Sequence, residues 1–78
     1  DFSGTPEAPK VYIGNVTVGI SNIDTISNAE IIGNLTITGA KSGTFTLENL
    51  TVEGNLDLSG LDASVNFNNI KIAGETIF

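Results

Sequence analysis

The sequence predicts an all-β fold, a short right-handed parallel β-helix of about three to four coils of roughly 20 residues each. Glycines recur at Gly14, Gly33, Gly54 and Gly74, and Asn follows each of the first three. Between these glycines, apolar and polar residues alternate with a period of two, as is typical of strands that bury one face. β-branched residues, Asn and Thr dominate these segments, and strong helix formers are scarce, so a helical repeat is not expected.

The first ten residues differ from the rest, because residues 1–10 carry both prolines and show no periodicity. They are expected to form a linker or an extended lead-in, since proline favours an extended conformation in the residue before it. Residues 11–78 are expected to form the coils. The last row, which begins at Gly74, is only five residues long, which favours a fragment of a longer solenoid or surface protein. Neither end carries a recognisable cap, so both open ends are expected to self-associate.

Aligning the rows places residues of the same kind in columns, and the apolar columns are expected to point towards the axis of the helix. The residues between them are mostly polar and should point outward. The apolar columns are Val16, Leu35 and Leu56; Val18, Ile37 and Leu58; Ile26, Leu47 and Phe67; and Tyr12, Ile31, Val52 and Ile72.

Three corners are expected in each coil. Two residues separate the inward side chains of Leu47 and Leu50, which predicts a tight bend. The next corner carries Gly54, which is expected to take the positive φ that such a bend needs. The third corner differs in length between rows, covering 38–44 and 59–64, and is expected to be a surface loop. The residues assigned to corners are Gly33, Gly54, Gly74, Asn15, Asn34 and Asn55.

Two columns of asparagine are expected to have structural roles. Asn28, Asn49 and Asn69 occupy the same bend in successive coils, where the amide of each can bond to the next in an inaccessible internal ladder. A row of amides that binds a ligand is the competing interpretation. In the corner column of Asn15, Asn34 and Asn55, Asn is expected because it tolerates the left-handed conformation, and this ladder should end where Glu75 replaces Asn.

The amino-acid composition argues against several classes of function. The net charge is −6, which disfavours nucleic acid and anionic membranes as partners. His, Cys, Met, Trp and Arg are all missing, so no catalytic, cofactor-binding or metal-binding residue is assigned, and no cofactor is expected. No apolar run is long enough to span a membrane, so membrane insertion is not expected. An outward polar face is assigned to four residues, Lys41, Glu53, Asp57 and Asp62.

The run GNLTITGAKSGTFTLENLTVEGNLDLSG, residues 33–60, resembles the right-handed β-helix repeats of Gram-positive secreted and cell-surface proteins. By architecture it also resembles the pectin-lyase-like superfamily, and more distantly the filament-forming bactofilin family. The resemblance covers about residues 14–78 and implies an extracellular or cell-surface protein. It carries no catalytic motif over to named positions of this chain.

Three functions are therefore considered. The preferred one is a non-catalytic, structural or interaction module that self-associates through open coil ends or contacts neighbouring domains of its parent protein. The second is part of a polysaccharide-binding or polysaccharide-degrading β-helix, which would use the outward polar face. The third is a filament-forming structural protein. The sequence identifies neither the parent protein nor the number of copies in an assembly.

Overall fold

The structure, a computed structural model, describes residues 2–21 and 23–78 as a parallel β-solenoid of about three turns. The described part of the chain contains strands and no helix, which confirms the predicted all-β fold. All of the strand pairings in this part are parallel. The strands are β1 (Lys10–Ile13), β2 (Val16–Gly19), β3 (Thr25–Ile32), β4 (Leu35–Val52), β5 (Leu56–Asp57), β6 (Leu61–Ile72) and β7 (Thr76–Ile77).

The strands stack into two faces. Face A contains β1, β3, the second half of β4, and β6, whereas face B contains β2, the first part of β4, β5 and β7. The solenoid thus has four layers, numbered here from the N-terminus: layer 1 (10–19), layer 2 (25–38), layer 3 (44–57) and layer 4 (61–77). Strands about 4.8 Å apart give these layers an axial span of about 14 Å. The molecular dimensions are 29 × 24 × 19 Å.

The register confirms the predicted apolar columns. Ile26 lies against Leu47, and Leu47 lies against Phe67 in layer 4. On face B, Leu35 pairs with both Val16 and Leu56. Because parallel strands in register stack identical positions, the period-two alternation in each row becomes one continuous core. The fully buried large side chains are Phe45, Ile20, Ile26, Ile31, Leu35, Ile37, Leu47, Leu50, Leu56 and Val52.

The third corner is not the free surface loop that its variable length suggested. β4 continues through it as one strand, and Gly39 and Ala40 pair with Leu61 and Asp62 of the next layer. The register then shifts between Ala40 and Thr44, where layer 3 accommodates its extra residues as a bulge. Backbone hydrogen bonding between layers is therefore kept on both sides of the insertion, because a bulge disturbs the ladder only locally.

The N-terminal segment covers part of layer 2, so the expectation that neither end has a cap is wrong at this end. The backbone N–H of Gly4 donates to the Ser27 carbonyl (3.1 Å), and the Ser27 N–H donates to Ser3 Oγ (3.0 Å). The ring of Phe2 stacks on Tyr12, with centroids 4.5 Å apart, and the Tyr12 hydroxyl donates to the Phe2 carbonyl (2.8 Å). These contacts satisfy the backbone C=O and N–H of Ser27, which lies in the part of β3 that does not pair with β1.

Candidate functional site

The column of Asn28, Asn49 and Asn69 forms the predicted ladder. Asn49 Nδ2 donates to Asn28 Oδ1 (3.2 Å), and Asn69 Nδ2 donates to Asn49 Oδ1 (2.8 Å). All three residues have left-handed backbones, with φ between 52° and 57°. The ladder lies on the outside of the bend, where Asn49 and Asn69 are exposed, so the expectation that it is internal and inaccessible is wrong. A left-handed corner turns its side chain away from the core, and Asn tolerates that conformation.

The column of Asn15, Asn34 and Asn55 bonds differently. Each side-chain Oδ1 accepts from the backbone N–H of the residue one layer further along, at 3.1 Å from Asn15 to Asn34 and 2.8 Å from Asn34 to Asn55. The series ends on the Glu75 N–H, which donates to Asn55 Oδ1 (2.9 Å), as the sequence predicted. The left-handed conformation expected here belongs instead to the other Asn column.

The corner glycines are needed for close approach between layers. Gly33 has a positive φ of 151°, whereas Gly54 does not, so that expectation for Gly54 is wrong. A Cβ on Gly54 would lie 2.7 Å from the Gly33 carbonyl oxygen and would also meet Asn34 Oδ1. The Gly74 position repeats this arrangement one layer further along, against Gly54 and Asn55. A side chain in this column would therefore separate the layers.

The structure does not bring the predicted outward polar face together as one cluster. Lys41 and Asp62 line the same shallow, polar depression at the third corner, which encloses about 650 Å³. The Lys41 ammonium also forms an ion pair with the Asp24 carboxylate of the preceding layer. Glu53 lies instead beyond the end of β4, at the second corner, and Asp57 lies in β5 on face B. No common cleft formed by the described residues holds all four.

Asp57 has a local partner. Ser59 donates to Asp57 Oδ1 from its hydroxyl (2.6 Å) and from its backbone N–H (2.9 Å). These two hydrogen bonds, that from the hydroxyl having the larger effect, hold the pKa of Asp57 below its ordinary value of 3.8 because they favour the charged form. The carboxylate thus caps the turn that leads from face B into layer 4. This arrangement is typical of a structural turn.

The strongest candidate for a functional surface is the outer side of layer 4, where the sequence pattern indicated only an open end. We define the C-terminal end face as the concave surface, enclosing about 360 Å³, that is lined by Phe67, Ile70, Ile72, Thr76 and Phe78. Phe67 is 44% exposed and Phe78 is 80% exposed, although both continue inward columns of the core. Their rings are exposed because layer 4 is covered on one side alone.

The backbone of layer 4 is also unpaired at this end. β6 pairs with β4 along one edge, and no strand among residues 2–21 and 23–78 pairs with its other edge. In a parallel sheet alternate residues direct their backbone groups to opposite neighbours, so about six N–H and six C=O groups of this 12-residue strand face outward. Such an edge is a template for a further strand.

The opposite end differs in kind. Ile20, which follows layer 1, and Ile26 and Ile31 of layer 2 are fully buried, and Val18 of layer 1 is nearly so. The stacked rings of Phe2 and Tyr12 pack against this part of the core. The two ends therefore differ in their aromatic side chains, whereas both have free strand edges: within the described residues, β1 and β2 pair with the next layer alone, as β6 pairs with the preceding one.

Other kinds of site receive no support from the geometry. Across residues 2–21 and 23–78, no group of three or more carboxylates is arranged so that it could hold a metal ion. None of the described residues belongs to a helix long and apolar enough to cross a membrane.

Comparison with known proteins adds no family. No protein-family model matches the chain, and neither a curated protein nor a solved structure matches it significantly. The solenoid fold rests on the strand register described above. The resemblance to Gram-positive surface repeats and to pectin-lyase-like proteins rests on the sequence pattern alone.

Proposed function

We propose that the chain is a non-catalytic β-solenoid module of a secreted or cell-surface protein, which provides a rigid platform and self-associates through its open coil ends, with the C-terminal end face as the main contact. The observation that carries this proposal is the exposure of Phe67 and Phe78 beside an unpaired strand edge. Aromatic side chains that cluster in a concavity are the usual energetic centre of a protein interface. An exposed apolar patch of this kind marks an interaction site more often than a random surface feature.

The walls of the solenoid favour a structural role. The two Asn columns and the corner glycines are bonded within the stack, so these repeated residues already have partners. The outward carboxylates are dispersed over different corners and faces, whereas acid–base catalysis of glycoside hydrolysis needs two of them across one cleft. A module that holds a fixed shape and binds at one end accounts for both features.

The proposed location follows from the sequence pattern. The repeat resembles those of Gram-positive surface proteins, and the chain lacks Cys and carries a net charge of −6. A strongly acidic surface keeps a protein soluble and discourages adsorption to anionic polymers. These features support a secreted or cell-surface location.

The test is association in solution, measured by sedimentation velocity between about 5 and 500 µM protein. We expect a concentration-dependent increase in sedimentation coefficient for the 78-residue chain. Phe78→Asp should lose this increase, because it places a charge in the apolar end face. The matched control is Ile13→Asp, since Ile13 is 85% exposed on the outside of layer 1 and far from the end face.

Two results would overturn the proposal. One is a chain that stays monomeric over the whole concentration range. The other is an equal loss of association in the Phe78→Asp and Ile13→Asp variants, because this would indicate non-specific adhesion of exposed apolar side chains. Circular dichroism of both variants checks that the fold is retained.

A further inference from the structure

We propose that a groove along the first corner, beside the Asn ladder, binds a neutral, extended sugar chain that lies parallel to the solenoid axis. The groove lies on the side wall of the solenoid and crosses layers 2 to 4. It is separate from the open coil ends to which the proposed function assigns self-association. The residues that line it lie between Pro6 and Lys71 and include neither end of the chain.

Two columns of outward side chains form the walls of this groove. One wall is the Asn ladder, and the other is the column two residues further along each strand. The register places Glu30, Thr51 and Lys71 side by side in this second column. Ala29 and Leu50 lie between the two columns and are buried, so their backbone forms the floor.

The groove consists of two adjoining concavities that share Asn49 and Thr51. The one nearer the N-terminus encloses about 320 Å³, and the other encloses about 160 Å³. Pro6 and Pro9 bound the first concavity and add apolar surface to it. Two backbone hydrogen bonds close the turn of residues 5–8, which fixes this boundary in place.

The walls of the groove keep unused hydrogen-bonding groups. A side-chain amide has two N–H donors and an oxygen with two lone pairs. The ladder uses one donor of Asn49 and one of Asn69, so each amide keeps a second N–H. Within residues 2–21 and 23–78, the side chains of Glu30, Thr51 and Lys71 have no hydrogen-bond or ion-pair partner. Because the ladder already orders the amides, a ligand that bonds to them costs little side-chain entropy.

The spacing of these groups decides which kind of chain fits. They recur once in each layer, about every 4.8 Å. In an extended peptide, groups on the same side recur every second residue, about 6.6–6.8 Å, and fall out of register after one layer. One unit of an extended, β-linked sugar chain is close to one layer in length, and its hydroxyls both donate and accept, as amides do. The three layers of the ladder therefore match three successive sugar units.

The charge of the groove favours a neutral ligand. Its lining contains one carboxylate, Glu30, and one ammonium, Lys71, which lie two layers apart. Sugar hydroxyls can bond to both charged groups without burying a further charge. An acidic sugar chain would instead meet the net charge of −6 of the whole protein.

The test is an NMR titration of the isotope-labelled chain with cellotetraose, a neutral and extended β-linked glucose tetramer. We expect saturable shifts in the side-chain amide signals of Asn49 and Asn69 and in the backbone signal of Thr51. The dissociation constant should be millimolar, because the groove is open and its lining residues include no aromatic ring. Maltotetraose has the same composition but a coiled, α-linked chain, so it should bind at least about threefold more weakly.

A pair of matched variants locates the site. Thr51→Val removes a hydroxyl from the groove and keeps a branched side chain that suits a strand. It should raise the dissociation constant for cellotetraose about three- to tenfold, the effect of one lost hydrogen bond. The control is Thr36→Val, since Thr36 is also half-buried in β4 but lies on face B, away from the groove. It should leave the constant unchanged, and circular dichroism checks that both variants keep the fold.

Four results would overturn the sugar site. These are the absence of saturable shifts with cellotetraose, equal affinity for maltotetraose, equal effects of the two Thr→Val variants, and stronger binding of an extended Ser–Thr hexapeptide at the same signals. The last result would identify a peptide groove instead. Sedimentation measures self-association independently, so none of these results bears on the proposed function.

Discussion

Replacing Gly54 by alanine tests whether the layers depend on close contact at the second corner. Gly54 does not have a positive φ, so the backbone of alanine fits and the effect is steric. The new Cβ would lie 2.7 Å from the Gly33 carbonyl oxygen, whereas ordinary van der Waals contact begins at 3.4 Å. Layers 2 and 3 must therefore separate by about 0.7 Å at this corner.

The separation acts on two hydrogen bonds that join these layers. The Gly54 N–H donates to the Gly33 carbonyl (2.9 Å), and the Asn55 N–H donates to Asn34 Oδ1 (2.8 Å). Overpacking costs about 1–3 kcal/mol, and a weakened hydrogen bond costs about 1 kcal/mol. Gly54→Ala should therefore lower the free energy of unfolding by about 2–4 kcal/mol. That is a large share of the roughly 4–12 kcal/mol expected for a chain of 78 residues.

The assay is urea unfolding followed by far-ultraviolet circular dichroism, with Gly19→Ala as the matched control. Gly19, at the end of β2, likewise has no positive φ, and a Cβ there meets no atom of the described residues within 4 Å. The control should change the free energy of unfolding by less than about 1 kcal/mol. Equal stability of the two variants would refute the close-contact argument, because the same chemical change would then have the same effect with and without an atom in contact with the new Cβ.

Two further predictions concern the first corner and pH. Asn49→Ala should lower the free energy of unfolding by about 1–3 kcal/mol, because it removes the ladder hydrogen bonds and places alanine in a left-handed conformation. Asn49→Gly should lower it by less, because glycine accepts that φ. Urea unfolding measures both variants, and equal losses would assign the whole effect to the ladder. Because Ser59 lowers the pKa of Asp57 in the folded state, this contribution to stability is present above about pH 3.8 and is lost as pH falls through the lowered pKa. Ser59→Ala should raise the Asp57 pKa in an NMR titration, and an unchanged pKa would contradict the assignment.

The fold could be predicted well because a solenoid repeats one local solution. The column of Ile26, Leu47 and Phe67 is visible as a period of about 20 residues, and stacking in register then follows from strand hydrogen bonding. Conformation at the corners could not be predicted in the same way. Asn and Gly both tolerate unusual φ values, so composition did not reveal that Asn49 is left-handed and that Gly54 is not.

The candidate site was predicted only in part. The sequence indicated an open end beyond Gly74, yet it did not indicate that Phe67 and Phe78 would be exposed there while Phe2 would stack on Tyr12 at the other end. The signal that could have found this was the position of Phe2 ahead of two prolines, in a segment that has no partner of its own in the repeat. Whether such a segment folds back depends on contacts with residues 10 to 24 positions away.

The amino-acid sequence by itself determined the repeat, the inward columns and the Asn ladder, since each of these depends on neighbours at a fixed spacing along the chain. Tertiary structure alone decided which Asn column turns the backbone, which glycines permit close contact between layers, and which end of the core is exposed. These features depend on the distance between layers and on the chain that lies over each end. Local pattern does not encode either quantity, because the same row of residues is buried between two layers and exposed at the last one.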